Sequence, residues 1–336
     1  MRFLSVPVDE AAGKILGHNV VDGDGRRRLR KGRALGSGDI EVLRELGRSW
    51  VHVAVLEPGD VSEDEAADLV AASVCGRNLR LSRSKTGRVN AYTEALGLVR
   101  VDAGRLLELN LVEGVHLATR PNHAVIKEGT IACTLKIVPY ALDRAQIDAS
   151  AVLGEVIRLD ALPFRRVGMI LTGSPAGQER ITTGFSKALG PRLEELGSAL
   201  ELTDFASVDD DGGEERLAAS ILDMAPKVDL LILAGETAVV DRADIAPRAV
   251  ERAGGQVISY GAPVDPGNLL LLAELGGLPV LGAPGCARSP MANIVDLVLP
   301  RLLAGDRLDR RDVARLGVGG LLDDVPERPM PRRRAG

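Results

Sequence analysis

The sequence is poor in rings: Trp 1, Tyr 3 and Phe 4 among 336 residues. That leaves little surface on which unpaired bases could stack and disfavours single-stranded nucleic-acid binding. Cysteine is scarce too, and Cys75, Cys133 and Cys286 are odd in number and far apart, which makes neither a disulfide framework nor a zinc knuckle. The histidines His18, His52, His116 and His123 show no metal-ligand spacing. Positive charge is not in excess: Lys+Arg 42 against Asp+Glu 47 gives a net charge of −5, so the broad basic face needed for duplex DNA is not expected. No apolar run is long enough to span a bilayer, and Met1–Ser5 leads into Val8-Asp9-Glu10 without a signal-like start, which points to the cytoplasm. Also missing are a phosphate loop ending in Gly-Lys-Ser/Thr, His-Glu-x-x-His, Gly-x-Ser-x-Gly and Cys-x-x-Cys. A small-molecule role is what these exclusions leave.

What is present can bury a core. The chain is 45% hydrophobic and 26% charged, enough for two or three domains built on Val, Leu, Ile and Ala. Its preference for Arg over Lys reads as genomic base composition rather than chemistry. The first 162 residues carry short alternating strands such as Val51–Val55, many glycines and few long helical periods, so they predict a β-rich region of one or two subdomains. One helix stands out over Glu63–Val74, with Ser62 and Glu65 at capping-box spacing and Ala66, Leu69, Val70 and Val74 on one face. The basic run Arg26-Arg27-Arg28-Leu29-Arg30-Lys31 is most simply a solvated hairpin or loop.

From Pro163 the pattern alternates apolar runs with helical periods, the signature of a mostly parallel α/β sheet over residues 163–305. Strands are expected at Val167–Leu171, 201–208, Val228–Ala234, Gln256–Ser259 and Leu278–Gly282. Helices are expected around Phe185–Leu196 (kinked at Pro191), Leu217–Met224 and Asp244–Ala253. A last helix is predicted with Ser289 as N-cap, Pro290 at its first position and Met291, Ile294, Val295, Val298 and Leu302 along one stripe. Residues 306–336 form an Arg-rich, then Pro-rich tail, expected to be partly disordered at Pro329–Arg334.

Three loops follow predicted strands and therefore belong to the carboxyl edge, where open α/β sheets bind ligands. They are Thr172-Gly173-Ser174, Gly235-Glu236-Thr237 and Pro284-Gly285-Cys286-Ala287-Arg288-Ser289. In the third, glycine lets backbone approach a ligand, a helix start offers free N–H groups, and Arg288 adds charge, which suits a phosphate or carboxylate. Turn and cap roles for Gly285 and Ser289 are the alternative. Asp209, Asp210, Asp241, Asp244 and Asp265 lie at turns near the same edge and are candidates for a hard cation, or simply turn and cap residues. Cys286, beside Arg288 and ahead of a helix, is either a thiol of lowered pKa or a buried inert one.

At these residues the chain resembles the molybdopterin-binding fold shared by molybdopterin adenylyltransferases and molybdopterin molybdotransferases. The resemblance runs from Arg165 to Gly305, in order: Thr172-Gly173, Asp209-Asp210-Asp211, Gly235-Glu236 with Asp241, Pro266-Gly267, and Pro284-Gly285-Cys286-Ala287. Ala12–Val20, Arg30-Lys31-Gly32 and Asp39–Leu43 resemble the start of a molybdotransferase, whose elongated β-rich region serves dimerisation. Leu56–Val61, Thr86–Asn90, Pro263–Asn268 and Gly285–Pro290 are similar to a bacterial subgroup often fused to a molybdenum-cofactor nucleotidyltransferase. The chain departs from the pattern where molybdotransferases carry a Glu (Pro175 here), a second Gly (Glu236) and an Asn (Cys286).

The resemblance implies binding of molybdopterin or its nucleotide form by Thr172, Gly173, Ser174, Gly235, Glu236, Thr237, Pro266, Gly267, Pro284, Gly285, Cys286, Arg288 and Ser289. If molybdate is inserted, Asp209, Asp241 and Asp265 would be catalytic, with Mg²⁺ on Asp241 and Asp244. It further implies a homodimer, and a molybdenum-cofactor nucleotidyltransferase as partner. A non-catalytic carrier or sensor is the alternative, and a nucleotide pyrophosphatase of the same fold a weaker one.

Overall fold

The computed structural model describes residues 1–322, and the expectation for Pro329–Arg334 lies outside them. The chain divides into two units, Met1–Asp160 and one beginning at Ala161. Among the described residues no helix is long and apolar enough to cross a membrane.

The first unit is β-rich but holds more helix than its sequence suggests. Arg2–Pro7, Trp50–Val55 and Ile15–Leu16 form one small antiparallel sheet. Beside it lie the hairpin Val20–Val21/Arg27–Leu29 and the helix Ser37–Glu45, around a core that includes Leu16, Leu29, Leu43 and Val53. The basic run is the hairpin's second strand: Leu29 is buried while the arginines stay exposed. A second core gathers around the sheet of Val115–Thr119, Ile131–Ile137, Arg88–Thr93 and Leu79–Leu81. Three helices pack there: Glu63–Val74, Ala103–Leu111 and Arg144–Val152.

Glu63–Val74 is helical as predicted and buries Ala66, Ala67, Val70, Ala71 and Val74, one stripe at helical spacing. Leu69, expected on that stripe, is 39% exposed, one position round from the buried face. The Ser62/Glu65 capping box does not form, since Ser62 makes no side-chain cap. The orphan N–H groups of the first turn go elsewhere; that of Glu63 reaches the carbonyl of Tyr140 at 2.9 Å.

In the second unit the alternation of strand and helix is realised. Strands β1 (Arg166–Gly173), β2 (Ala199–Ser207), β3 (Leu230–Gly235), β4 (Gln256–Tyr260), β5 (Leu271–Leu275) and β6 (Leu278–Ala283) form one sheet in the order β2-β1-β3-β6-β5-β4. The neighbours β2, β1, β3 and β6 are parallel, and β5 runs antiparallel between β6 and β4. The sheet is thus mostly parallel, as expected, with β5 as an unpredicted strand. Helices α1 (Gln178–Glu195), α2 (Gly213–Met224), α3 (Ile245–Arg252), α4 (Ile294–Leu303) and α5 (Arg310–Arg315) complete the unit. Ile170, Leu231 and Leu233 share one buried cluster with α2 and α3, while Val167, Met169 and Leu171, on the other face by strand alternation, are fully buried too. Burial on both faces is why these strands read as continuous apolar runs.

The final long helix corrects its predicted start. Ser289 and Pro290 precede it, Met291 is 48% exposed, and α4 begins at Ile294. Asn293 is the N-cap, accepting from the Val295 N–H at 3.0 Å, while Asp296 accepts from the Asn293 N–H at 2.8 Å. This is a capping box one turn later than the Ser-Pro signal, and reciprocal capping outweighs an isolated Ser-Pro. Within the expected tail, Arg310–Arg315 is helical, capped by Asp309.

Candidate functional site at the carboxyl edge of the second unit

The register of the parallel strands decides which loops meet. Thr172 pairs with Gly235 across β1 and β3, and Ala234 with Ala283 across β3 and β6. The segments 172–174, 235–237 and 284–289 therefore leave three adjacent strands at the same level, about 4.8 Å apart. Gly235 is required by this closeness, because a Cβ there would meet Thr172 Oγ1.

The first two loops are joined through Glu236. Its Oε2 accepts from the Ser174 backbone N–H and hydroxyl, both at 3.1 Å, and its Oε1 accepts from Arg180 Nη2 at 2.6 Å. The Glu236 N–H returns to the Thr172 carbonyl at 2.9 Å. The Ser174 donors, followed by Arg180, hold the Glu236 carboxyl below the usual carboxylate range. Its side chain lies against Gly173 and Gly177, where a Cβ would come within 3.1 Å and 2.9 Å of it. The Ser174 N–H of the first loop is thus occupied by the chain's own carboxylate.

The third loop is clamped from α1. Arg192 donates to the carbonyls of Ser289 (2.8 Å) and Met291 (3.1 Å) and to Asp296 Oδ1 (2.8 Å). Arg288 sits 5.5 Å from the Phe185 ring centroid and donates to the Gly285 carbonyl at 3.3 Å; its exposed guanidinium keeps further donors. Ser289 accepts from the Met291 N–H at 3.1 Å, capping a turn rather than a helix. Arg180 and Arg192 are the residues sequence reasoning missed. The available signal was the four-residue spacing Arg180, Gly184, Ala188, Arg192, a narrow helix face bracketed by cations. Gly184 on that face lies against the Arg288 side chain.

Pro266-Gly267 joins the third loop as well. The Pro266 carbonyl accepts from the Ile294 N–H at 3.0 Å. Gly267, at φ +135°, abuts Ile294, so a Cβ there is excluded by both backbone and space. Cys286 lies near Asp265: burial, then the Asp265 and Asp296 carboxylates, push its thiol pKa up against the opposing pull of Arg192. The activated-thiol alternative is therefore not what this site provides.

The acidic residues do not assemble. Among the described residues there is no group of three or more His, Cys, Asp or Glu side chains that could hold a metal ion. Asp241 accepts from the Ala243 N–H at 2.7 Å, and Asp244 from the N–H groups of Val240 (2.6 Å) and Asp241 (3.0 Å). Asp209 is bonded by the Ser207 hydroxyl, and Asp210 by Arg216 and the Gly212 N–H. Asp209 follows the edge strand β2, two strands from β3. These are turn-forming roles, and the donor set does not fit a resident Mg²⁺.

Residues 5–56 match a family described as Domain of unknown function (DUF8806). No curated protein matches the sequence. Among solved structures, the chain is similar to a molybdopterin biosynthesis moeA protein from Pyrococcus horikosii, at 17% identity and TM-score 0.33, over 90% of this chain and 75% of that one. A molybdenum cofactor biosynthesis protein from Pyrococcus furiosus aligns at 13% identity and TM-score 0.26, over 96% of this chain and 66% of its own, just under two thirds of its length. The protein CinA from Thermoplasma acidophilum aligns at 14% identity and TM-score 0.25, over 41% of this chain and 94% of its own.

Proposed function

We propose that the second unit binds a phosphorylated pterin of the molybdopterin class, or its nucleotide form, and serves molybdenum-cofactor synthesis as a binding protein. The observation that carries this reading is the register of β1, β3 and β6, which delivers the Thr172-Gly173-Ser174, Gly235-Glu236-Thr237 and Pro284–Ser289 loops together. Those loops carry the motif residues of the sequence resemblance, in its order. In this reading Arg288 holds a ligand phosphate, Gly235 and Gly285 let backbone approach it, and Arg180 becomes available once Glu236 yields.

Glu236 favours binding over molybdate insertion. An insertion site would need Asp209, Asp241 and Asp265 to act on one reacting centre, yet they join no metal-holding group and Asp209 and Asp241 close local turns. A carboxylate that already engages Ser174 and Arg180 would compete with an anionic ligand for those donors, which suits a carrier that exchanges its cargo with a partner. The same absence of a donor set disfavours the Mg²⁺-dependent pyrophosphatase alternative.

The test is to purify the protein from a host that makes the cofactor, oxidise the extract, and assay fluorescent pterin, with Arg288→Ala as comparison. Pterin retained by the wild type and lost by the variant is the expected result. No pterin in either, with the pathway active in the host, refutes the reading.

A further inference from the structure

The basic run Arg26–Lys31 finds no role at the carboxyl edge, but its end does in the first unit. A cavity of about 1120 Å³ is lined by Arg30 and Lys31 together with Lys85, Lys136, Glu63 and Tyr140. Its lysines and arginine come from three places in the sequence. Arg30 and Lys31 follow the hairpin strand Arg27–Leu29, Lys85 precedes the strand Arg88–Thr93, and Lys136 lies on Ile131–Ile137. The part of the chain matching the domain of unknown function supplies Arg30 and Lys31.

The charges are unevenly matched. Lys136 lies 3.5 Å from Glu63 and donates to the Thr86 carbonyl, so its position is fixed by protein partners. Arg30, Lys31 and Lys85 stand in no ion pair among the described residues. The other carboxylates of the lining are Glu113 and Asp143; Asp143 is engaged in capping the helix Arg144–Val152. Tyr140 donates to the Gly17 carbonyl at 2.7 Å and ties the two sides of the cavity together. In a chain of net charge −5, Arg30, Lys31 and Lys85 around one cavity, with Lys31 also acting on Glu63 from beyond ion-pair distance, make a local field that attracts anions.

We infer that this cavity binds a small phosphorylated molecule carrying at least two phosphate charges. Several cations spread around so wide a space suit a polyanion rather than a single carboxylate, and lysines bind phosphate as point charges without needing a bidentate geometry. Lys31, Lys85 and Arg30 would contact the phosphates, and Lys136, held by Glu63, would supply a fixed fourth charge. The site lies wholly in the first unit and does not depend on the pterin reading.

The test is calorimetric titration of the full chain with pyrophosphate and, in a second arm, ADP, at low and at near-physiological ionic strength. Saturable pyrophosphate binding that falls about tenfold in each of Lys31→Ala and Lys85→Ala is expected, and it should weaken with salt. Tighter binding of ADP would assign the ligand to nucleotides; equal binding would assign it to the phosphates alone. Arg26→Ala, on the same hairpin but outside the lining, is the control and should bind as wild type, with circular dichroism confirming the fold of each variant. No saturable binding, or a loss equal in Arg26→Ala and Lys31→Ala, overturns the assignment. Only the Lys31 and Lys85 dependence counts, so failure here leaves the pterin reading of the second unit untouched.

Discussion

Replacing Gly235 by Ala tests whether β1 and β3 are as closely matched at their carboxyl ends as the site requires. The added Cβ would meet Thr172 Oγ1 on the neighbouring strand and lie 3.2 Å from the Thr172 carbonyl. Thr172 is β-branched and stiff at χ1, so it yields poorly. Overpacking of this kind costs ~1–3 kcal/mol, which for a unit of this size lowers the melting temperature by ~2–4 °C per kcal/mol. Removing the obstruction with Thr172→Ala loses only the long 3.5 Å bond from Thr172 Oγ1 to the Ala234 carbonyl, a cost of under ~1 kcal/mol. The double variant Gly235→Ala/Thr172→Ala should therefore recover stability, with a favourable coupling of ~1 kcal/mol or more. Thermal unfolding by circular dichroism measures the total, and hydrogen exchange of the β1 and β3 amides locates it. Additive effects of the two substitutions, or a Gly235→Ala variant within ~0.5 kcal/mol of wild type, would refute the stated register.

Other consequences follow from named groups. Burial acts to raise the Asp160 pKa, but hydrogen bonds from Arg77, Arg100 and Arg158 outweigh it and hold it at about 2. A pKa below the unfolded value of ~3.9 means stability present above that pH and lost as pH falls toward 2. Acid denaturation curves of Asp160→Asn should lack this loss, and an unchanged acid limb would contradict it. The raised Cys286 thiol should alkylate more slowly than a free thiol at mildly alkaline pH, with Asp265→Asn speeding the reaction; mass-spectrometric labelling of Cys286 decides, and a rate above that of a free thiol would count against its burial. Glu236→Gly removes the internal carboxylate from Ser174 and Arg180, so retained pterin per protein should rise. A fall would show that the carboxylate helps to build the site rather than competing for it.

The parts of the fold legible in the sequence are those whose side chains alone specify burial. Val167–Leu171 and Leu230–Ala234 are apolar throughout because both sheet faces are covered, and no other element accommodates such runs as simply. β5 is not among the expected strands: Leu269–Leu275 is short, carries Glu274 and lies between Pro266-Gly267 and Gly276-Gly277. Its antiparallel pairing with β4 and β6 depends on partners distant in sequence. The start of α4 differs from the expected one because Ser289-Pro290 carries a strong local signal, while the cap that forms needs Asn293 to accept from Val295 and Asp296 to accept from Asn293. In the site, the loops were legible from their glycines. The occupation of Ser174 by Glu236 was not, because it joins residues 62 apart, and neither was the clamp from Arg192, which reaches across 97 residues to Ser289.

The most direct test of the central claim is hydrogen exchange on the full chain with and without added molybdopterin. The account predicts protection at 172–177, 235–238 and 284–291, with the amides around Lys31 and Lys85 unchanged. Protection confined to the first unit, or absent from all three loops while pterin remains bound, would contradict it.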